Sequence, residues 1–229
     1  YSSSASDVYK IHELECFNLE ILQSDLRYYA MGIRKITSSA LPTRFGKFNI
    51  VGYEVKTGKV KSSYVVLVKG NLSGTIAPLV RIHSQCLTGD VFASTRCDCG
   101  DQLKVAMKAI RKEGRGAIIY HPEEGRGIGL LNKLLAYELQ DQGIDTVEAN
   151  AKLGFNADER DYSACGEILK DLGISNVRLL SNNPGKVKAL ERSGVQVLER
   201  IPIEVEPSRS TKHYLKTKKD KLGHLLSNV

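Results

Sequence analysis

The pattern of the chain changes at Asp101, and that change constrains its fold more than any other feature. Before it, Lys47 to Val55, Ser63 to Lys69 and Pro78 to His83 are short alternating or apolar runs, separated by the polar turns KTGKV and GNLSG. Such runs predict an antiparallel β region. After it, DQLKVAMKAIRKEG sets Leu103, Ala106, Met107 and Ile110 at helical spacing, with Gly114 as the stop. The strand GAIIYH, the helices IGLLNKLLAYELQDQG and DYSACGEILKDLG, the strand NVRLLSNN, the helix PGKVKALERSG and the strand VQVLERIPI follow. Strands alternating with helices imply βαβ units and parallel pairing. The expected class is mixed α/β (α+β): an N-terminal antiparallel β region, then alternating strands and helices, in one compact domain over residues 41–229. Residues 1–40 read as an N-terminal extension of unknown role. Within them HELECFNLEILQSDLRYYA has no clean period, and a helix or a strand packed on a neighbour fits equally.

The stretch CLTGDVFASTRCDCG, Cys86 to Gly100, holds three of the chain's five cysteines. An odd count argues against a complete disulfide framework. Clustered cysteines in a reducing compartment more often mean metal or catalysis. On an extended segment Cys97 and Cys99 point to one face, and a turn at Gly89–Asp90 brings Cys86 back to them. Three thiolates suit Zn²⁺, which makes the expected domain zinc-containing. Three protein ligands leave a fourth position for water, whose pKa zinc lowers toward neutrality. Three thiolates also make the ion a weaker Lewis acid than histidines would. Spacing alone leaves two other readings open: inert buried thiols, or a structural site closed by His83. Cys16 and Cys165 read as ordinary thiols, Cys165 on an apolar helix face.

Three further segments carry charge at strand–helix junctions. EEGRGIG, Glu123 to Gly129, lets the backbone approach a ligand, and Arg126 adds a fork of donors suited to phosphate. It is neither a dinucleotide fingerprint nor a Walker A loop, and a tight turn fits it as well. In SNNPGK, Ser181 to Lys186, a lysine stands in the first turn of a helix, where the dipole disfavours it unless an anion is bound. GFNADERD, Gly154 to Asp161, offers either helix capping or a carboxylate base beside an arginine.

The net charge of +7 favours an anionic partner. The tail STKHYLKTKKDKLGHLLSNV, which carries part of the excess, reads as solvated. With no tryptophan, no aromatic-interleaved basic patch and no recognisable module, a nucleic-acid binder is disfavoured. The longest apolar runs, such as YVVLV, fall far short of the ~20 residues that span a bilayer, so no membrane partner is expected. YSSSASDVYK lacks the pattern of a signal peptide, and a cytoplasmic location follows as an expectation.

Taken together, RIHSQCLTGDVFASTRCDCGDQL, EEGRGIGLLNKLLAYELQDQGIDTVEAN, LGFNADERDY, RLLSNNPGK and HYLKTKKDKLGHLL resemble GTP cyclohydrolase II, in order and in spacing, from about Leu41 to Leu226. The resemblance implies zinc-dependent hydrolysis of GTP at C8 of the purine. Formate and pyrophosphate are released, Mg²⁺ accompanies the substrate, and the assembly is a homodimer. It implies that Cys86, Cys97 and Cys99 are the zinc ligands, Asp158 a proton acceptor, Arg160 a nucleophile toward the α-phosphate and Tyr137 a participant in deformylation. It implies GTP contacts at Arg81, Ile82, His83, Ser84, Gln85, Gln102, Glu124, Gly125, Arg126, Thr146, Ser181 and Lys186, with His83 facing nucleotide rather than metal. A guanidinium is almost never deprotonated, so the chemistry of Arg160 by itself points to a phosphate clamp. This chain has HSQC where the family usually has HSEC, and PEEGR where it usually has RQEGR. Gln85 loses a carboxylate, Pro122 loses a cation and Glu123 adds a negative charge. These departures motivate a second reading, a specialised paralogue that takes another purine nucleotide or stops at the formamide.

Overall fold

The computed structural model describes residues 31–208 and 211–229. Seven strands form one sheet: β1 (Met31–Thr43), β2 (Gly46–Thr57), β3 (Val60–Lys69), β4 (Leu79–Ser84), β5 (Gly116–His121), β6 (Asn176–Leu180) and β7 (Gln196–Ile201). Their order across the sheet is β1-β2-β3-β5-β4-β6-β7. The helices among the described residues are α1 (Leu87–Asp90), α2 (Cys99–Glu113), α3 (Leu130–Asp141), α4 (Thr146–Lys152), α5 (Ser163–Asp171), α6 (Pro184–Arg192) and α7 (Lys212–Leu222). None is long and apolar enough to cross a membrane.

The mixed α/β class holds, with one correction to the pairing. β1, β2, β3 and β5 pair antiparallel, but Pro78 to His83 does not belong to that region. It forms β4, which pairs parallel with both β5 and β6. The reason is α2: a helical crossover from β4 to β5 returns the chain in the same direction. The parallel half is buried on both faces. Successive residues Ile118 and Ile119, and likewise Leu179 and Leu180, enter opposite cores, as the two-residue period of a strand requires. On one face Ile168, Leu169 and Cys165 of α5 and Leu190 of α6 pack on Val80, Ile82 and Ile119. On the other, Ala106, Met107 and Ile110 of α2 pack on Leu79, Ile118 and Phe48. Three of the four helix-periodic residues and the Cys165 placement read from the sequence thus lie in the core; Leu103 packs at its edge.

The division at residue 40 falls inside β1, whose residues Met31 to Ala40 pair with Thr57 back to Asn49 of β2. That part of the N-terminal block is a strand; residues 1–30 lie outside the described residues. Three helices went unread: the short α1, where the sequence suggests a turn, together with α4 and α7. In α4 the Asp145 carboxylate accepts from Val147 N at 2.8 Å and Glu148 N at 3.3 Å. Asp145 with Glu148 three residues on is an N-terminal capping signature visible in the sequence. In α7 the lysine-rich tail is helical, and Leu215, Thr217 and Lys218 are buried.

Ile168 is fully buried between α5 and the sheet. Ile168→Ala is expected to lower stability by roughly 2–5 kcal/mol, measured by urea unfolding.

Candidate active site

The parallel strands end on one side of the sheet, and there the polar side chains gather, as is usual where ligands bind open α/β sheets. His83 and Ser84 end β4, His121 ends β5 and Ser181 follows β6.

After Ser84 the chain turns into the cysteine loop. The sulfurs of Cys86, Cys97 and Cys99 lie within 4.8 Å of one another. They do not sit on an extended segment: Cys97 precedes a bend and Cys99 is the first residue of α2, so a helix start, not a strand pleat, brings them together. Two glycines allow the approach. A Cβ on Gly89 would lie 3.0 Å from Cys97 Sγ and 3.3 Å from Cys86 Sγ, and one on Gly100 would lie 2.2 Å from the Gly89 carbonyl oxygen.

Three carboxylates anchor this loop. Asp90 accepts from Cys86 N at 3.1 Å, from Tyr120 Oη at 2.9 Å and from His83 Nε2 at 3.0 Å. Glu124 accepts from Leu87 N at 2.6 Å through one oxygen and from Lys133 Nζ at 2.7 Å through the other. Asp98, between two of the cysteines, takes Lys218 Nζ at 2.9 Å and Gln102 Nε2 at 2.5 Å. Burial pushes the Asp98 carboxyl up, but the Lys218 ammonium outweighs it and holds the group below the usual carboxylate range. The tail that read as solvated therefore reaches the heart of the loop.

The donor set fits zinc: three soft sulfurs converge as a tetrahedral ion requires. Their ionisation points the same way. Hydrogen bonds from Cys97 and Cys99 hold the Cys86 thiol well below its ordinary value. The bond to Cys86 pushes Cys97 up to about 11, and Cys99 goes well above its usual range for the same reason. His83, the alternative fourth ligand, is not in the cluster; Asp90 holds its Nε2 and Tyr120 stacks on its ring at 5.6 Å.

Two hollows flank the cysteines, and the residues singled out by sequence divide between them. A cleft of about 650 Å³ is lined by the cysteines with Gln85, Glu124, Gly125, Arg126, Tyr137, Thr146 and Arg160. A second hollow of about 420 Å³ is lined by Arg81, His83, Gln102, Ser181 and Lys186. Ser84 and Cys99 line both. Ile82 lines neither: its side chain is core, and only its carbonyl takes part, accepting Lys186 Nζ at 2.8 Å. Asp158 lines neither but grips Arg160, with Nε to Oδ1 at 2.7 Å and Nη2 to Oδ2 at 2.5 Å.

Positive charge dominates both hollows. Arg126 sits in a left-handed conformation (φ 62°), and its two terminal nitrogens are buried without a hydrogen-bond partner. Arg81 donates to Leu180 O at 2.9 Å and Gln102 Oε1 at 2.7 Å. Lys186 is buried with no ion pair among the described residues; desolvation, then Arg81 and Arg160, drive its pKa well below the ordinary lysine value. Burial alone would depress Arg160, but Asp158 outweighs it and keeps the guanidinium charged. Burial raises Asp158 and Arg160 outweighs that too, leaving the carboxylate ionised. A site with buried cations facing open space is built for an anion.

The model of the family described as GTP cyclohydrolase II matches residues 34–202. The chain belongs to the GTP cyclohydrolase II family. A protein of Proteus mirabilis named GTP cyclohydrolase-2 is 55% identical over 197 residues, 86% of this chain and 98% of that protein. Its namesake in Buchnera aphidicola is 55% identical over 196 residues, 86% of this chain and 99% of its own. The riboflavin biosynthesis protein RibBA of Chlorobium phaeovibrioides is 52% identical over 195 residues, 85% of this chain but 47% of that longer protein. The family match ends at residue 202, yet beyond it α7 supplies Tyr214 to the cleft and Lys218 to the second hollow, which His224, just past α7, also lines. Asp90, Asp98, Lys133, Lys218 and His224 escaped sequence reasoning. Asp90 and Asp98 lay in plain view inside the cysteine stretch, but nothing in spacing shows which way a carboxylate turns.

Lys218→Met is expected to cost roughly 3–5 kcal/mol, since it strands a buried carboxylate, and Asp98→Asn in the same chain should recover much of it. Urea unfolding of the two single variants and the double closes the cycle.

Proposed function

We propose that this protein hydrolyses GTP at C8 of the purine and releases formate and pyrophosphate, the opening step of riboflavin synthesis. The product is 2,5-diamino-6-ribosylamino-4(3H)-pyrimidinone 5′-phosphate. Family membership supports the overall activity. The observation that carries the finer reading is the Cys86–Cys97–Cys99 cluster opening onto a cleft in which the terminal nitrogens of Arg126 have no hydrogen-bond partner among the described residues. Zinc, when bound by these cysteines, supplies Lewis-acid activation of water for both hydrolyses.

The remaining roles belong to the chain's own side chains. Arg126 and Arg160 in the cleft, and Arg81 and Lys186 in the adjoining hollow, bind and orient the polyanionic substrate, with Mg²⁺ entering on the triphosphate. Arg160 acts as a clamp, because the Asp158 bridge keeps it charged and so unsuited to attack phosphorus. Asp158 is ionised, the state a proton acceptor needs. Tyr137 lines the cleft with its hydroxyl 3.2 Å from Thr88 Oγ1 and its ring under Arg96 at 4.8 Å. There it orients the formamide for the second hydrolysis, which argues against a paralogue that stops at that stage. The assembly is proposed to be a homodimer and its location cytoplasmic.

The test is incubation of zinc-loaded protein with GTP and Mg²⁺, with assay of formate, pyrophosphate and the diaminopyrimidinone. No turnover by fully metallated protein sinks the reading; a product that keeps the formyl carbon favours the paralogue. Cys97→Ser is expected to lower bound zinc, counted by atomic absorption, and to abolish ring opening.

Glu123, where the chain departs from the family, lines the same cleft. Burial pushes its carboxyl up to about 7, and the opposing hydrogen bond from Asp161 N does not offset it. It is neutral below that pH and negative above it, facing the incoming phosphates. KM for GTP is therefore expected to rise roughly 2–10-fold as pH climbs through neutrality. In Glu123→Gln that rise should be absent when the two pH profiles are compared.

A further inference from the structure

Three thiolates load a metal with negative charge, and the fold sets a buried cation against one of them. Lys133 lies in the first turns of α3 with its side chain 10% exposed. An ammonium has three N–H donors. Those of Lys133 have three acceptors: Cys86 Sγ at 3.2 Å, Thr88 Oγ1 at 3.0 Å and Glu124 Oε1 at 2.7 Å. With all three placed, none is directed at substrate. The other oxygen of Glu124 holds Leu87 N, one residue past Cys86, so the carboxylate that fixes Lys133 also fixes the backbone beside the sulfur. A simple ion pair with Glu124 would need one contact and no sulfur.

We propose that Lys133 is a positioning residue for the metal: it holds the Cys86 sulfur in place and draws negative charge off it. Cys86 is then the weakest electron donor of the three cysteines, and a zinc ion they bind remains a stronger Lewis acid than three equal thiolates would leave it. The inference rests on the zinc reading above. It follows from the general behaviour of groups that hydrogen-bond a metal's ligands, which tune the metal without touching it. The same ammonium reaches Thr88, whose hydroxyl meets Tyr137, and lies 5.6 Å from the Tyr137 ring, so one side chain braces both the metal ligand and the tyrosine of the cleft.

The test uses the full chain and two metals alone. Lys133→Met removes the donor at similar length, and Lys133→Arg keeps the charge. Zn²⁺ affinity is read by competition with a chromophoric chelator. With Co²⁺, the thiolate-to-cobalt charge-transfer band reports electron density on sulfur. Lys133→Met is expected to bind Zn²⁺ roughly 10–100-fold more weakly and to move the Co²⁺ band to lower energy, with Lys133→Arg between it and the unaltered protein. Lys133→Gln carries the same expectation where Lys133→Met does not fold, as judged by circular dichroism. A folded neutral variant with an unmoved band overturns the inference whatever its affinity, because packing alone then accounts for any loss. Unaltered protein that takes up neither metal overturns the zinc reading instead.

Discussion

The site depends on bringing three sulfurs together where their negative charges repel. Three ionised sulfurs do not favour that arrangement by themselves; the surrounding loop holds them in it. Asp90, Asp98 and Glu124 seize backbone and side-chain donors on three sides of the cluster, and each is held in turn by a group from a distant element: Tyr120 of β5, Lys218 of α7, Lys133 of α3. Gly89 and Gly100 leave room for the close approach. The loop is thus a product of the whole fold.

A second consequence of the same architecture is the uneven sharing of counter-charge. Lys133 and Lys218 have carboxylate partners and face the cysteine loop; Lys186 and the tips of Arg126 have none among the described residues and face the hollows. Paired cations hold structure together, whereas unpaired buried ones are destabilising until an anion binds. The distribution separates scaffold from binding surface more sharply than residue type does. Arg160 stands between the two classes, bridged to Asp158 on one side and to Ser84 on the other.

Much of this was legible in order along the chain. Helical spacing placed Ala106, Met107 and Ile110, strand runs marked β2, β3 and β5 to β7, and the five matching segments located the family and most of the cleft. What escaped has physical causes. The segment read as the last antiparallel run became a parallel strand, because direction depends on the crossover that follows it. The lysine-rich tail became α7, because burying Leu215 and pairing Lys218 with Asp98 outweigh the solvation of its other lysines. An extended pleat was expected to align Cys97 and Cys99, and a helix start does so instead.

The sequence by itself determined the mixed α/β class, the identity of the three thiols and the positive character of the site, since these depend on residue type and local spacing. Only the tertiary structure decided which cations are neutralised and which are left for a ligand, that His83 answers to Asp90 instead of joining the cysteines, and that Lys133 reaches Cys86 across 47 residues of chain. The physical reason is that charge acts over a few ångströms of space, and only folding determines which side chains share that space.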